Sequence, residues 1–197
     1  MAVELRKGQK VNLSKSAELG EIVINLNWSQ GTQKKGFFSS LFGSQSIDLD
    51  LGAFVELTDG TKHVIQALGN SFGSTNSKPY VALDGDDRTG ESVDGENIRV
   101  NGRQASNIRR MLIYTFIYEG VTNWQEADGI VTVKCPGAED IIIKMDEYNS
   151  KFAMCAIAQI TNNGGSFSVE KLVNFFEGHV KMDAHYGWGF KWTPGRK

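Results

Sequence analysis

The residues best placed to do chemistry in this chain are acids. Asp48 and Asp50 stand two apart in the run Ile47-Asp48-Leu49-Asp50-Leu51, and residues 84–96 read DGDDRTGESVDGE. The two segments hold eight acids and one base, Arg88, a net charge of −7 against −2 for the whole chain. On a strand, residues two apart point to the same face, with carboxylates about 7 Å apart before they lean together. A cation joining them relieves the repulsion. Gly85, Gly90 and Gly95 are spaced through the second segment and permit the turns by which a short loop wraps an ion and offers its carbonyls. The candidate donors are all oxygens, with no histidine or cysteine beside them, which suits Ca²⁺ better than zinc or copper. A solvated acidic loop is the alternative reading of such a charge run. An EF-hand does not fit. With Glu96 at its twelfth position, Asp87, Thr89 and Gly90 fall acceptably, but the first position is Gly85 and the flanks read as strands.

These acids need rigid elements to hold them, and the pattern around them is that of strands. Ile22, Ile24, Leu26 and Trp28 alternate onto one face. Ile47, Leu49, Leu51, Ala53, Val55 and Leu57 do the same, leaving Asp48, Asp50, Gly52, Phe54 and Glu56 on the other. Residues 111–118 are apolar on both sides, as a central strand should be. Further strands are expected at residues 63–68, 98–100, 130–135, 140–144, 152–160 and 167–174. Asp59-Gly60 and Asn162-Asn163-Gly164-Gly165 read as hairpin turns. Residues 104–110 are the one helical stretch expected. Tyr186, Trp188, Phe190 and Trp192 are expected to form the apolar face of a last strand. The expected fold is all-β, an antiparallel β-sandwich of two sheets with few short helices, residues 1–197 forming a single calcium-binding domain.

Bulk properties narrow the class of protein. A chain of 197 residues with 40% hydrophobic and 22% charged residues can bury a stable core without disulfides or metal. A net charge of −2 gives no bias toward nucleic acid. The start, MAVELRKGQKVNLSK, lacks the apolar stretch of a secretory signal, and no run is long enough for a transmembrane helix. Cys135 and Cys155 have no CxxC spacing and are expected as buried thiols in a reducing cytoplasm.

Several residues together are similar to a known family. Trp28, the Asp48-Leu49-Asp50 run with Phe54, Gly85-Asp86-Asp87-Arg88-Thr89-Gly90-Glu91 and Glu96-Asn97-Ile98 resemble the TerD family of tellurium-resistance and stress proteins. The opening at residues 5–13 resembles that family's start, and residues 184–192 look like the TerA or TerX type. The resemblance implies a calcium-binding β-sandwich in the bacterial cytoplasm, or peripheral at the inner membrane, with other tellurium-resistance proteins as partners. Asp48, Asp50, Asp86 and Glu96 match family acids best. Asp87, Asp94 and the carbonyl of Gly90 are secondary ligands. The loop departs from the family pattern, with Asp87 for an Asn, Ser92-Val93 for Gly-Asp and one residue fewer before Glu96. One calcium ion is therefore expected rather than two.

Other signals carry less. Residues 69–73 match G-x-S-x-G, but a loop follows where a nucleophile elbow needs a helix. His179 and His185 are six apart, not the spacing of a helical zinc pair. Residues 29–46 read as a long hairpin insertion. Its Phe37, Phe38, Leu41 and Phe42, behind Lys34 and Lys35, are either folded onto the core or exposed to dock on a membrane surface or partner. The expected function is a non-catalytic calcium-binding scaffold or sensor. The alternatives are a metal-dependent hydrolase using the same acids, and a lectin-like calcium-dependent binder.

Overall fold

The computed structural model describes residues 2–13, 19–28, 47–85, 95–119, 124–147 and 151–193. Its strands are β1 (Ala2–Glu4), β2 (Lys10–Asn12), β3 (Glu21–Asn27), β4 (Asp48–Leu57), β5 (Lys62–Ile65), β6 (Gly73–Ser74), β7 (Val81–Leu83), β8 (Glu96–Asn101), β9 (Ile108–Glu119), β10 (Ile130–Lys134), β11 (Asp140–Lys144), β12 (Met154–Asn163) and β13 (Ser166–Phe176). Two short helices join them, α1 (Trp124–Ala127) and α2 (His179–Tyr186). One sheet runs β1-β11-β10-β3-β8-β7-β6 and the other β2-β13-β12-β9-β4-β5. Pairing is antiparallel except for β1 beside β11. The fold is the expected two-sheet β-sandwich.

The alternation in β3 and β4 builds the space between the sheets. Ile22, Ile24, Leu26 and Trp28 from one sheet meet Leu49, Leu51, Ala53 and Val55 from the other in one buried cluster. β4 is buried at all ten of its positions, because its second face is covered too. Phe54 on that face joins Leu112, Tyr114, Phe116, Met182 and Trp188 in a second cluster, under α2 and the segment that follows it. β9, central between β12 and β4, feeds both clusters. The two hairpins fall where expected. Asp59 Oδ1 accepts the Thr61 N–H at 2.9 Å in the first. Asn162 Oδ1 accepts the Gly165 N–H at 2.8 Å in the second.

Two expectations are corrected. The helical stretch expected at residues 104–110 is shorter and shifted: a 3-10 helix spans Gly102–Asn107, and Ile108 already pairs with Leu57 as the start of β9. The last strand is also absent. Tyr186 ends α2, Gly187 adopts φ +66 and Gly189 φ +75, and these left-handed residues break any extended run. The chain is pinned instead by Asp183, whose carboxylate accepts the N–H groups of Gly189 (2.6 Å) and Phe190 (2.9 Å) and the Trp192 indole N–H (2.7 Å). Cys135 and Cys155 are buried free thiols, and burial raises the pKa of both.

Candidate metal centre

The N-terminal half of β4 carries Asp48 and Asp50 on the face away from the inter-sheet core, and both are buried, at 5% and 0% exposure. Glu96 opens β8 in the opposite sheet and is 2% exposed. The parity of β4 explains how they meet. Leu57 donates its N–H to Thr61 across the β4–β5 hairpin, so the odd-numbered N–H groups of β4 point toward β5. β5 ends at Ile65, opposite Ala53, so Leu51 is the first such donor beyond its end. Glu96 Oε2 accepts the Leu51 N–H at 2.6 Å. A carboxylate from one sheet thus takes the place of a missing strand on the other, next to Asp50. The two acidic segments, 46 positions apart from Asp50 to Glu96 in the chain, are joined at this point.

The loop between β7 and β8 is rooted on both sides. The Asp84 N–H donates to Asn97 O at 2.9 Å. Gly95 adopts φ +60, and a Cβ there would lie 2.1 Å from Leu26 O, so glycine alone fits where the loop re-enters the sheet. Asp84 itself belongs elsewhere. Arg99 Nε binds its two oxygens at 2.7 and 2.6 Å, and Arg99 Nη1 reaches Glu21 at 2.6 Å. Asp86, Asp87, Gly90 and Asp94 lie outside the described residues, as do Phe37, Phe38, Leu41 and Phe42. Among the described residues, no group of three or more His, Cys, Asp or Glu side chains is arranged to hold an ion. What the described residues show here is a pair of buried strand acids and a buried glutamate bound to the backbone beside them.

Asp50 has a polar neighbour that the sequence did not disclose. Tyr114 packs over Gly52, where a Cβ would lie 2.4 Å from its ring. Burial, and then the negative charge of Asp50, raise the Tyr114 pKa well above the usual phenol value. Its hydroxyl donates to Gln66 Oε1 at 2.7 Å. At the far end of β4 the buried Glu56 accepts from Arg109 (2.9 Å) and Arg110 (2.5 Å). Arg110 also stacks 4.2 Å over Trp188. Adjacent arginines facing a lone strand acid were the available signal for this cluster. The G-x-S-x-G match is no nucleophile elbow: Gln66 and Ser71 close a tight turn, and Ser71 Oγ donates to Val64 O at 2.5 Å.

A two-sheet sandwich whose acidic loop is tied across its sheets is the class of protein that these features define. The TerD domain model matches residues 1–170, and the chain belongs to the TerD family. It is 50% identical over 188 residues to "Tellurium resistance protein TerA" of Alcaligenes sp, covering 95% of this chain and 56% of that protein. It is 30% identical over 130 residues to "Stress response protein SCP2" of Bacillus subtilis (strain 168), covering 64% of this chain and 65% of that one. The chain thus spans between half and two thirds of the length of these two relatives. A solved homologue of telluride resistance protein (TerD) from Streptomyces coelicolor A3(2) superposes with a TM-score of 0.57 at 16% identity, covering 84% of this chain and 95% of that one, which is a likeness of fold. The domain match stops before α2, whereas the match to TerA runs beyond residue 170.

Proposed function

We propose that this chain is a non-catalytic calcium-binding module of tellurium resistance and stress response, acting as a scaffold or sensor. The observation that carries the reading is the Glu96–Leu51 bond, which brings a buried glutamate beside the buried pair Asp48 and Asp50. Carboxylates on neighbouring elements favour a divalent cation bound through oxygen ligands, and the remaining ligands would come from the loop between β7 and β8. Asp48, Asp50 and Glu96 would hold the ion together with Asp86, Asp87, Asp94 and the Gly90 carbonyl. A single ion is expected, from the shortened loop. Calcium would then lock the β7–β8 loop to β4 and stabilise the fold by binding only its folded form, by about 2.7 kcal/mol at ~100-fold above Kd.

Partners among other tellurium-resistance proteins and a cytoplasmic location, with peripheral attachment to the inner membrane through Phe37, Phe38, Leu41 and Phe42, complete the proposal. No helix of the described residues is long and apolar enough to cross a membrane. The test is calorimetric titration with calcium alongside thermal melts. The wild type is expected to bind one equivalent and to melt higher in calcium. Asp48→Asn/Asp50→Asn is expected to lose both effects. A wild type indifferent to calcium would defeat the proposal.

A further inference from the structure

α2 begins at the mouth of a cavity of about 580 Å³. Three features of its walls point to one ligand chemistry. The first is an uncapped helix start. Gly178 at the N-cap has no side-chain cap, and the first intrahelical bond runs from the Met182 N–H to Gly178 O. The N–H groups of His179, Val180 and Lys181 therefore precede any helical acceptor and carry the positive end of the helix dipole. Lys181 adds a full charge, and all three residues line the cavity.

The second feature is Gln66, which also lines the cavity although it is only 7% exposed. Among the described residues its side-chain hydrogen bonds both run through Oε1, to the Tyr114 hydroxyl (2.7 Å) and to His179 Nε2 (2.8 Å). Burial lowers the His179 pKa to about 4, so at neutral pH the ring is uncharged, and the tautomer with its proton on Nε2 is the one that donates to Gln66 Oε1. With the amide oxygen engaged twice, the amide NH₂ is the group that Gln66 offers to the cavity. The third feature is an apolar wall of Leu68 and Trp192. The Trp192 ring packs 4.8 Å from His179, and its N–H is held by Asp183, so its face is fixed in place. Glu177, exposed at the rim, is the one acid among the lining residues.

We propose that this cavity binds a small organic anion, its carboxylate or phosphate group on the α2 N-terminus, Lys181 and the Gln66 amide, its flat apolar body against Trp192 and Leu68. The assignment does not rest on the calcium reading. The experiment is calorimetric titration of the chain in calcium-free buffer with phenyl phosphate, benzoate and inorganic phosphate. At least one aromatic anion is expected to bind at one site, about tenfold or more tighter than inorganic phosphate, the apolar body supplying the difference. Val180 is 60% exposed, so Val180→Asp should fold normally. An acid in the first turn even suits the dipole, yet it occupies the anion's place, and binding should fall about tenfold. Lys181→Ala should weaken binding several-fold with an unchanged melt. Failure of both aromatic anions to bind the wild type, equal binding of inorganic phosphate, or unchanged binding by both variants would each overturn the proposal.

Discussion

The two ends of β4 solve one problem in different ways. Each end places buried carboxylate on the same face of the same strand: Glu56 at one, Asp48 and Asp50 at the other. At the Glu56 end the counter-charge comes from the neighbouring strand. Burial alone would raise the Glu56 pKa, but the hydrogen bond and charge of Arg110, with Arg109 and Lys62, outweigh it and lower the value. The same arginine stacks on Trp188 and donates to Tyr186 O at 3.3 Å, so that charge pair also fastens the C-terminal cover. At the other end the opposite sheet contributes a further acid, Glu96, bound to the Leu51 N–H. One end is a closed structural ion cluster. The other sets buried carboxylates beside the root of the β7–β8 loop, and this is the end at which the proposed ion would bind.

Between the ends lies Gly52, and changing it should have the largest effect. A Cβ there would meet the Tyr114 ring at 2.4 to 2.6 Å, and Tyr114 is fully buried and bonded to Gln66. Gly52→Ala is expected to cost about 3 kcal/mol, measured by denaturant titration, and to weaken calcium binding as the ring is pushed toward Asp50. A neutral effect would show that the strand and its cover shift easily, and the contrast between two rigid ends would fail.

Glu56→Gln comes next, at about 2 kcal/mol, because it leaves the half-buried Arg110 without its carboxylate. The variant should keep the full calcium response of the wild type; loss of that response would mean that the two ends are one network. Its pH dependence is a second readout. The folded pKa of Glu56 is lowered below its ordinary 4.5, so the stability from its ionised form is complete above that value and lost as pH falls through the lower, folded pKa. Acid melts of wild type and Glu56→Gln should therefore converge as pH falls below 4.5 and through the folded pKa of Glu56. Parallel curves down to the lowest pH would remove Glu56 from the acid response.

The sequence made some of this legible and hid the rest, for identifiable reasons. Alternation with period two gave the inner face of β3 and β4 residue by residue, because one face had to meet the opposite sheet. It also placed Asp48 and Asp50 side by side. It did not say that the outer face of β4 is buried as well, since the cover comes from Met182 and Trp188, more than 120 positions later. The tail misled because aromatics at even spacing mimic a strand. What decides its path is Asp183, which satisfies two backbone N–H groups and an indole from within α2. Glu96 was legible as an acid of the loop, but not as the partner of Leu51, a contact that depends on where β5 stops.

The smallest predicted effect tests how the acidic loop is divided. Asp84 belongs to the acidic run in sequence, yet in the fold it accepts from Arg99, which it shares with Glu21 on the outer side of its sheet. Surface pairs of this kind contribute roughly 0–1 kcal/mol, since solvent screens them and ordering the side chains costs entropy. Asp84→Asn should therefore lower the melting temperature only slightly and more visibly at low salt than at high salt. Its calcium titration should match that of the wild type. Asp48→Asn, one of the buried acids on β4, should instead lose calcium binding in the same titration. A calcium affinity that falls as far for Asp84→Asn as for Asp48→Asn would show that total loop charge, rather than the buried set beside Leu51, draws the ion, and the distinction between the ends of β4 would reduce to one of net charge.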